Sequence, residues 1–407
     1  MNLKQLILLL VALAVIGGAG LLLHKRHEQS WTESETQIGQ KLVNNYQMND
    51  VAAIHIKGET DLNLDRKDDG WHVKERNQYP ANVSQIRDLL IKIGDLKVVQ
   101  SDPIDASQLG RMHLDEPGKA SNSAILLELE DAQGKPEQSL LLGKKHTHQS
   151  DRPSPMPYGD EGFADGRYVM LKSDPKTVLT ISDALNTVDA KPADWLSKDF
   201  LKVEKPSVIS FVSTNATNSW KMSRTNETAP WVLAEIKPGE ILDTNKVSSL
   251  SSTLTYPSFV DVASDPAPDK TGLDNPLTVS IETFDHFTYT LKVGHKTPEN
   301  DYDLNIAVTA DIPTAREAGK DEKPEEKTKL DKEFQDKTKA LQDKLAKEKS
   351  LAAWTYLVNS WLLDPFIRDR SQLMVDKAAE KKEGDAKTDD KAEPEPAMPE
   401  TIPGFPK

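Results

Sequence analysis

Apolar positions recur at two different periods along this chain, and they do so twice in the same order. Residues 51–56 and the pair Leu62 and Leu64 keep a spacing of two, which predicts strands with one face buried. Asp68-Asp69-Gly70 predicts a turn, and Trp71-His72-Val73 begins the next strand. The period then lengthens. Val83, Ile86, Leu89, Leu90 and Ile93 stand three or four apart among charged residues, the stripe of an amphipathic helix. Asn82 or Ser84 can cap it and Gly94 can stop it. Leu114-Asp115-Glu116-Pro117 leads into a strand at Ile125, Leu127 and Leu129, and Asp131 to Gly134 turns the chain. Leu140 to Leu142 predicts a strand ending at Gly143, and Tyr168 to Leu171 another. A short helical stretch is expected around Ile181 to Leu185, and the Pro- and Gly-rich segment 151–166 reads as an exposed loop.

The second half repeats this grammar. Val208 to Val212, Trp220 to Met222 and Trp231 to Leu233 read as strands. Val247, Leu250 and Leu254 form a helix stripe, with Thr244 or Asn245 as cap. Leu277, Val279 and Ile281, then His286 to Val293 ending at Gly294, then Tyr302, Leu304 and Ile306 complete the set. Trp71 answers to Trp231, Ile93 to Leu254, Leu114–Pro117 to Leu273–Pro276, and Gly143 to Gly294. The offsets are 160, 161, 159 and 151 residues. A chain that repeats a strand–helix–strand pattern at one period is built of repeated units. Connections too short for helical crossovers make the sheets mostly antiparallel. The expected fold class is α+β: two duplicated modules, each an antiparallel sheet carrying one helix.

Two segments break the pattern. Residues 6–23 are an uninterrupted run of 18 apolar residues and glycines. As a helix this spans about 27 Å, close to the hydrocarbon thickness of a bilayer. Lys4 and Gly17-Gly18-Ala19 are also compatible with a cleaved signal peptide. The run continues through Leu21-Leu22-Leu23 into His24-Lys25-Arg26-His27, which favours an uncleaved anchor. The second break is residues 315–350, dense in Lys, Glu and Asp. Leu330, Phe334, Leu341 and Leu345 leave a narrow seam, and Glu333–Lys337 and Asp343–Lys347 are i,i+4 pairs. This predicts a charged helix whose seam is shorter than a stable coiled coil needs. Because residues 351–366 are again apolar, the helix is an insertion within the second module. The organisation is then an anchor at 1–27, a juxtamembrane linker at 28–46, modules at 47–200 and 201–375, and a disordered tail at 376–407.

Net charge −14 excludes a general nucleic-acid binder, which needs a basic surface. With no cysteine, disulfides, thiol catalysis and cysteine-ligated metals are excluded. His146, His148 and Asp151 are the nearest approach to a metal set, but a third reliable ligand is missing and the segment is a polar loop. The Leu-Asp-x-Pro aspartates are better read as turn-formers than as acids. Gly143-Lys144-Lys145 lacks the glycines of a phosphate loop. Trp71 and Trp231 read as core residues. No catalytic, cofactor-binding or metal residue is assigned, and no cofactor is expected.

The membrane span, Gly70-Trp71, the helix Val83–Ile93, Leu114–Pro117, Leu142-Gly143 and Tyr168-Val169 together resemble the bacterial DUF4340 family, a domain of unknown function. The set recurs at Trp231, Leu273–Pro276 and Gly294, so the resemblance covers most of residues 45–310. It implies no reaction. It implies instead an accessory role in the envelope, beside ABC-type transporters of the gliding-motility type. The expectation is a noncatalytic inner-membrane protein with a periplasmic ectodomain and envelope or transporter partners. The alternatives are a glycan- or peptide-binding module using aromatics such as Trp195 and Trp220, and, more remotely, a hydrolase. The oligomeric state is left open.

Overall fold

The computed structural model describes residues 38–43, 46–118, 120–147, 164–317, 319 and 322–375. The expected anchor, the histidine His148 with Asp151, and the expected tail lie outside the described residues. Among the described residues no helix is long and apolar enough to cross a membrane.

The chain forms two mostly antiparallel sheets with few helices, an α+β fold. The first sheet is built from β1 (Ala53–Lys57), β2 (Asp61–Lys67), β3 (Gly70–Val73), β4 (Tyr79–Pro80), β5 (Val98–Pro103), β6 (Ile125–Glu130), β7 (Pro136–Thr147), β8 (Ala164–Leu171) and β9 (Thr177–Ile181), with helix α1 (Val83–Asp95) between β4 and β5. The second uses β10 (Pro206–Val212), β11 (Trp220–Ser223), β12 (Val232–Leu233), β13 (Asp261–Val262), β14 (Leu277–Thr283), β15 (Phe287–Lys296), β16 (Asp301–Ala310) and β17 (Thr355–Asn359). Its helices are α2 (Thr244–Thr253), the single turn α3 (Pro268–Thr271), α4 (Pro324–Ser350) and the single turn α5 (Ser360–Leu363). Across the first sheet the order is β4-β3-β2-β1-β6-β7-β8-β9-β5; across the second it is β12-β11-β10-β14-β15-β16-β17-β13. With β4 set aside, the two orders coincide strand for strand.

Local sequence accounts for most elements. On α1, Ile86, Leu89, Leu90 and Ile93 are buried against the sheet, and the Asn82 side chain caps the helix by accepting from the Gln85 amide. Val83, counted in the stripe, is 55% exposed, because it sits in the first turn before the helix reaches the sheet. The helix also runs through Gly94 to Asp95. That glycine is there for packing: a Cβ on it would lie 3.1 Å from the Tyr46 ring. Val247 and Leu250 on α2, and Leu254 just past its end, are buried as expected. The cap is Asp243, whose carboxylate accepts from the Asn245 and Lys246 amides, and neither Thr244 nor Asn245 fills that role.

The second face of the first sheet explains why Leu126 and Leu141 interrupt the alternation. With Leu114, Ala124, Met170 and Val178 they make a small separate core beneath the 104–117 segment. Three further differences from expectation share one cause, long-range pairing. Val98–Pro103 is a strand because β9 pairs with it. Thr177–Ile181 is a strand, and no helix follows over Ile181 to Leu185. The backbone of residues 39–42 lies alongside β5, with Gly39 N donating to Val98 O at 2.8 Å and Leu42 N to Leu96 O at 2.8 Å. Leu42 and Val43 are buried there.

Neither Gly143 nor Gly294 ends its strand; β7 and β15 both run past, with a register shift at that point. Each glycine sits under the carbonyl that closes a preceding helical turn. A Cβ on Gly143 would stand 2.4 Å from Met112 O, and one on Gly294 2.0 Å from Thr271 O. The next residue is left-handed in both places, His113 at φ 53° and Gly272 at φ 72°. The leucines of the two Leu-Asp-x-Pro motifs follow directly. The matching glycines are thus a close-approach site in both sheets. Gly294→Ala should destabilise the protein by about 1–3 kcal/mol in urea unfolding, since backbone must shift. Gly58→Ala, where the nearest atom is Ala190 Cβ at 3.6 Å, should be close to neutral.

Candidate functional site

The most specific arrangement in the molecule lies where the sheets meet. After β3 a 3-10 turn (Lys74–Arg76) and two left-handed residues, Asn77 at φ 54° and Gln78 at φ 58°, swing the chain out of the sheet. Arg76 there grips Asp261 on β13 with two parallel bonds, Nε to Oδ1 and one terminal nitrogen to Oδ2, each 2.8 Å. Both side chains are only 17% exposed. Asn77 donates its side-chain amide to Ala263 O at 2.9 Å, and Trp354 Nε1 donates to Asn77 O at 3.1 Å. Tyr79 then enters an aromatic cluster, with ring centroids 4.9 Å from Trp354, 5.6 Å from Phe259 and 6.0 Å from Tyr356. Phe200 closes the cluster at 4.9 Å from Tyr356. Edge-to-face packing of this kind adds to simple area burial. Burial pushes the Tyr79 hydroxyl up to about 12, so it stays protonated. One continuous core runs from the first sheet through this junction into the second.

The charged helix α4 is docked over its second half. Glu348, 4% exposed, accepts from the Lys202 amide at 2.9 Å and from the Tyr289 hydroxyl at 2.8 Å. Burial raises its carboxyl above the ordinary range. Lys337 pairs with Asp285 at 3.1 Å, Lys344 with Glu204 at 3.0 Å and Lys347 with Asp199 at 3.0 Å. Lys337 and Lys347, expected to pair along the helix with Glu333 and Asp343, reach Asp285 and Asp199 on the body of the protein instead. Leu341 and Leu345 join the core, whereas Leu330 and Phe334 are half-buried outside it. β17, which follows the helix, pairs with β16 and so returns the chain to the second sheet. Of the apolar return, Tyr356, Val358, Leu362, Leu363 and Phe366 are buried, but Trp361 is 58% exposed.

Other charged groups have structural partners. Arg167 is buried, and its Nε donates to Gly143 O at 2.8 Å, a carbonyl freed by the register shift. Burial pulls its pKa down to about 10. His146 pairs with Asp165 at 2.7 Å across β7 and β8. Among the described residues no group of three His, Asp or Glu side chains could hold a metal ion. Asp115 accepts from Asn122 and shapes its turn. Glu130, His55, Asn63 and Glu75 form a hydrogen-bonded row on the first sheet, with His55 Nε2 3.3 Å from Glu130. The row holds β1, β2 and β6 together.

The aromatics considered for ligand stacking are interior. Trp195 is 0% and Trp220 4% exposed, with indole nitrogens donating to Asp189 O and Arg368 O. Trp71 is buried; Trp231 is half-buried, and the Arg224 guanidinium lies 4.8 Å from its ring centroid. The junction residues Arg76, Asn77, Asp261 and Phe259 carried no signal in the sequence, because they meet across some 185 positions.

Residues 158–276 match the family model described as Domain of unknown function (DUF4340). The chain therefore resembles this family, over a shorter span than the motifs suggested. The match runs from before β8 to the edge of β14, so it straddles both sheets and takes in Tyr168-Val169, Trp231 and Leu273–Pro276. Gly70-Trp71, α1, Leu114–Pro117, Gly143 and Gly294 fall outside it. No curated protein and no solved structure matches the chain.

Arg76→Ala strands Asp261 in a largely buried position and should cost about 2–4 kcal/mol in denaturant unfolding. A double-mutant cycle with Asp261→Ala should return a coupling of about 1–3 kcal/mol. Asp303, 6% exposed, is pushed up by burial to about 6 from 3.8, with His295 pulling weakly the other way. A raised carboxyl favours the folded state only while protonated. Its contribution is full below about pH 4 and lost as pH rises through about 6. Asp303→Asn should therefore stabilise the protein at pH 7 by about 1–3 kcal/mol and leave it unchanged near pH 4.

Proposed function

We propose that this chain is a noncatalytic, membrane-anchored envelope protein that serves as an accessory or scaffold subunit of a membrane complex, an ABC-type transporter being the leading candidate. In this reading the two sheets are duplicated modules, and the apolar run at residues 6–23 holds them on the periplasmic side of the inner membrane.

The observation that carries the reading is the way α4 is mounted. Its second half is locked to the second sheet by Glu348, Lys344 and Lys337. Its first half, 13 residues from Pro324 to Asp336, extends about 20 Å beyond Lys337. The approach to this half is itself pinned. Arg316 donates to Glu322 at 2.7 Å and to Asp331 at 2.8 Å, so the arm has a defined entry as well as a defined root. An arm rooted in this way on a two-sheet body suits holding a partner at a set distance. The clasp at Arg76 and Asp261 makes that distance a property of the whole ectodomain.

The test is cross-linking in intact membranes followed by mass spectrometry of what co-purifies. Transporter or envelope-machine subunits linked through residues 324–336, and lost when Lys327, Lys329 and Lys332 are changed to Glu, are the expected result. Clean recovery of the chain with no linked partner would overturn the reading.

A further inference from the structure

The two sheets repeat one pairing of arginine with tryptophan and differ in what surrounds it. Arg66 on β2 lies opposite Trp71 on β3. Met222↔Leu233 and Ser223↔Val232 put Arg224 opposite Trp231 in the same way, with the guanidinium 4.8 Å from the ring centroid. Four residues separate the first pair in sequence and six the second. The longer loop is braced: Asn226 Oδ1 accepts from the Thr228 and Ala229 amides, and Arg224 donates to Glu227 O at 2.6 Å. Trp231 is half-buried, where Trp71 is only 8% exposed. Between this loop and the first turn of α2 lies a cavity of about 350 Å³. Pro230, Trp231, Leu242 and Val247 give it apolar walls, and Thr228 and Thr244 add hydroxyls.

The chain leaves the second sheet at the rim of this cavity. Leu242, one of the walls, forms an antiparallel bridge with Met374. The Val375 amide donates to Ile241 O at 2.9 Å, and Lys246 Nζ donates to Met374 O at 3.0 Å. The first sheet makes the same exit: Ala81 bridges Leu196, and the Ser197 amide donates to Pro80 O at 2.9 Å. What comes next differs. After Ser197 the chain is anchored at once, by Phe200 in the aromatic cluster and by Leu201 and Val203, each 3% exposed. After Val375 the same three places hold Ala378, Ala379 and Lys381, which offer little apolar surface to bury. Residues 376–401 contain one large apolar side chain, Met398. Then comes Ile402-Pro403-Gly404-Phe405-Pro406, with the only aromatic ring after Phe366.

We propose that residues 402–406 of this chain turn back and occupy the cavity beside Trp231, with Phe405 as the side chain that enters it. Proline-flanked segments dock on aromatic-lined surfaces because their backbone is extended before binding and loses little entropy. The tether reaches. From Val375 to Phe405 is 30 residues, and a connector of this polar composition spans about 30 Å as a coil, ample for a site at its own root. Tethering of this kind gives an effective concentration of about 1 mM, so a contact of about 0.1 mM affinity keeps the cavity filled. A partner that uses this face of the second sheet then competes with the chain's own tail.

The chain has no cysteine, so an introduced disulfide reports the contact directly. In the full-length protein Thr228→Cys, on the loop wall, is combined with Lys407→Cys, two positions past Phe405, and the rate of oxidation is followed. Thr244→Cys, on the helix wall, repeats the measurement without altering the loop. The expected result is a disulfide within one chain that forms roughly tenfold more slowly once Phe405→Ala is added, since that change removes most of a buried ring. Phe405→Ala alters no residue of the two sheets, and thermal unfolding checks that each wall variant is folded. A rate that Phe405→Ala leaves unchanged overturns the proposal, because tethered collision alone then accounts for the bond. A disulfide between two chains overturns it as well, since the occupant is then the tail of another copy. The absence of any disulfide in the folded variants does the same.

Discussion

The junction between the sheets is the constraint on which the rest depends. Tyr79 cannot be buried by the first sheet alone. Its ring lies beyond the sheet edge, among Phe259, Trp354 and Tyr356 of the second. Neither can Arg76 or Asp261 leave water without the other. A partly buried ion pair gains little net energy over an apolar pair, but breaking it is costly, so it selects one relative placement. The apolar core supplies the cohesion and the clasp supplies the register. Helix α4 inherits its direction from this arrangement, since it is rooted beside the linker residues Lys202 and Glu204.

Sameness and difference between the sheets have separate physical origins. What repeats is what backbone geometry demands: strand order, the helix over one face, and the glycine beneath a helical turn. What differs is what a surface touches. At the position of Tyr289, the first sheet has Gln138, because β6 Leu129 pairs with Gln138 as β14 Ile281 pairs with Tyr289. The tyrosine lies under α4 and donates its hydroxyl to Glu348. The insertion and the residues that accept it belong together.

Much of the fold was legible because its signals are local. The stripe on α1 and the alternation in β14 and β15 each depend on neighbours a few positions apart. The elements that were missed depend on distant partners. β5 has weak alternation and is a strand because β9 pairs with it; residues 181–185 have helical spacing but follow a strand into a bend. Gly94 and Gly143 were visible as glycines, but their role is contact with Tyr46 and Met112, which spacing does not show.

The sequence by itself determined the repeated grammar, the α+β class and the place of the charged helix as an insertion, because periodicity and turn chemistry are written in adjacent residues. It also flagged the matched glycines and tryptophans without their reasons. Only the tertiary structure decided which way α4 projects, that Trp195 and Trp220 are interior, and that Arg76 meets Asp261. Those outcomes turn on side chains brought together across tens to hundreds of positions, and no local pattern records such a meeting.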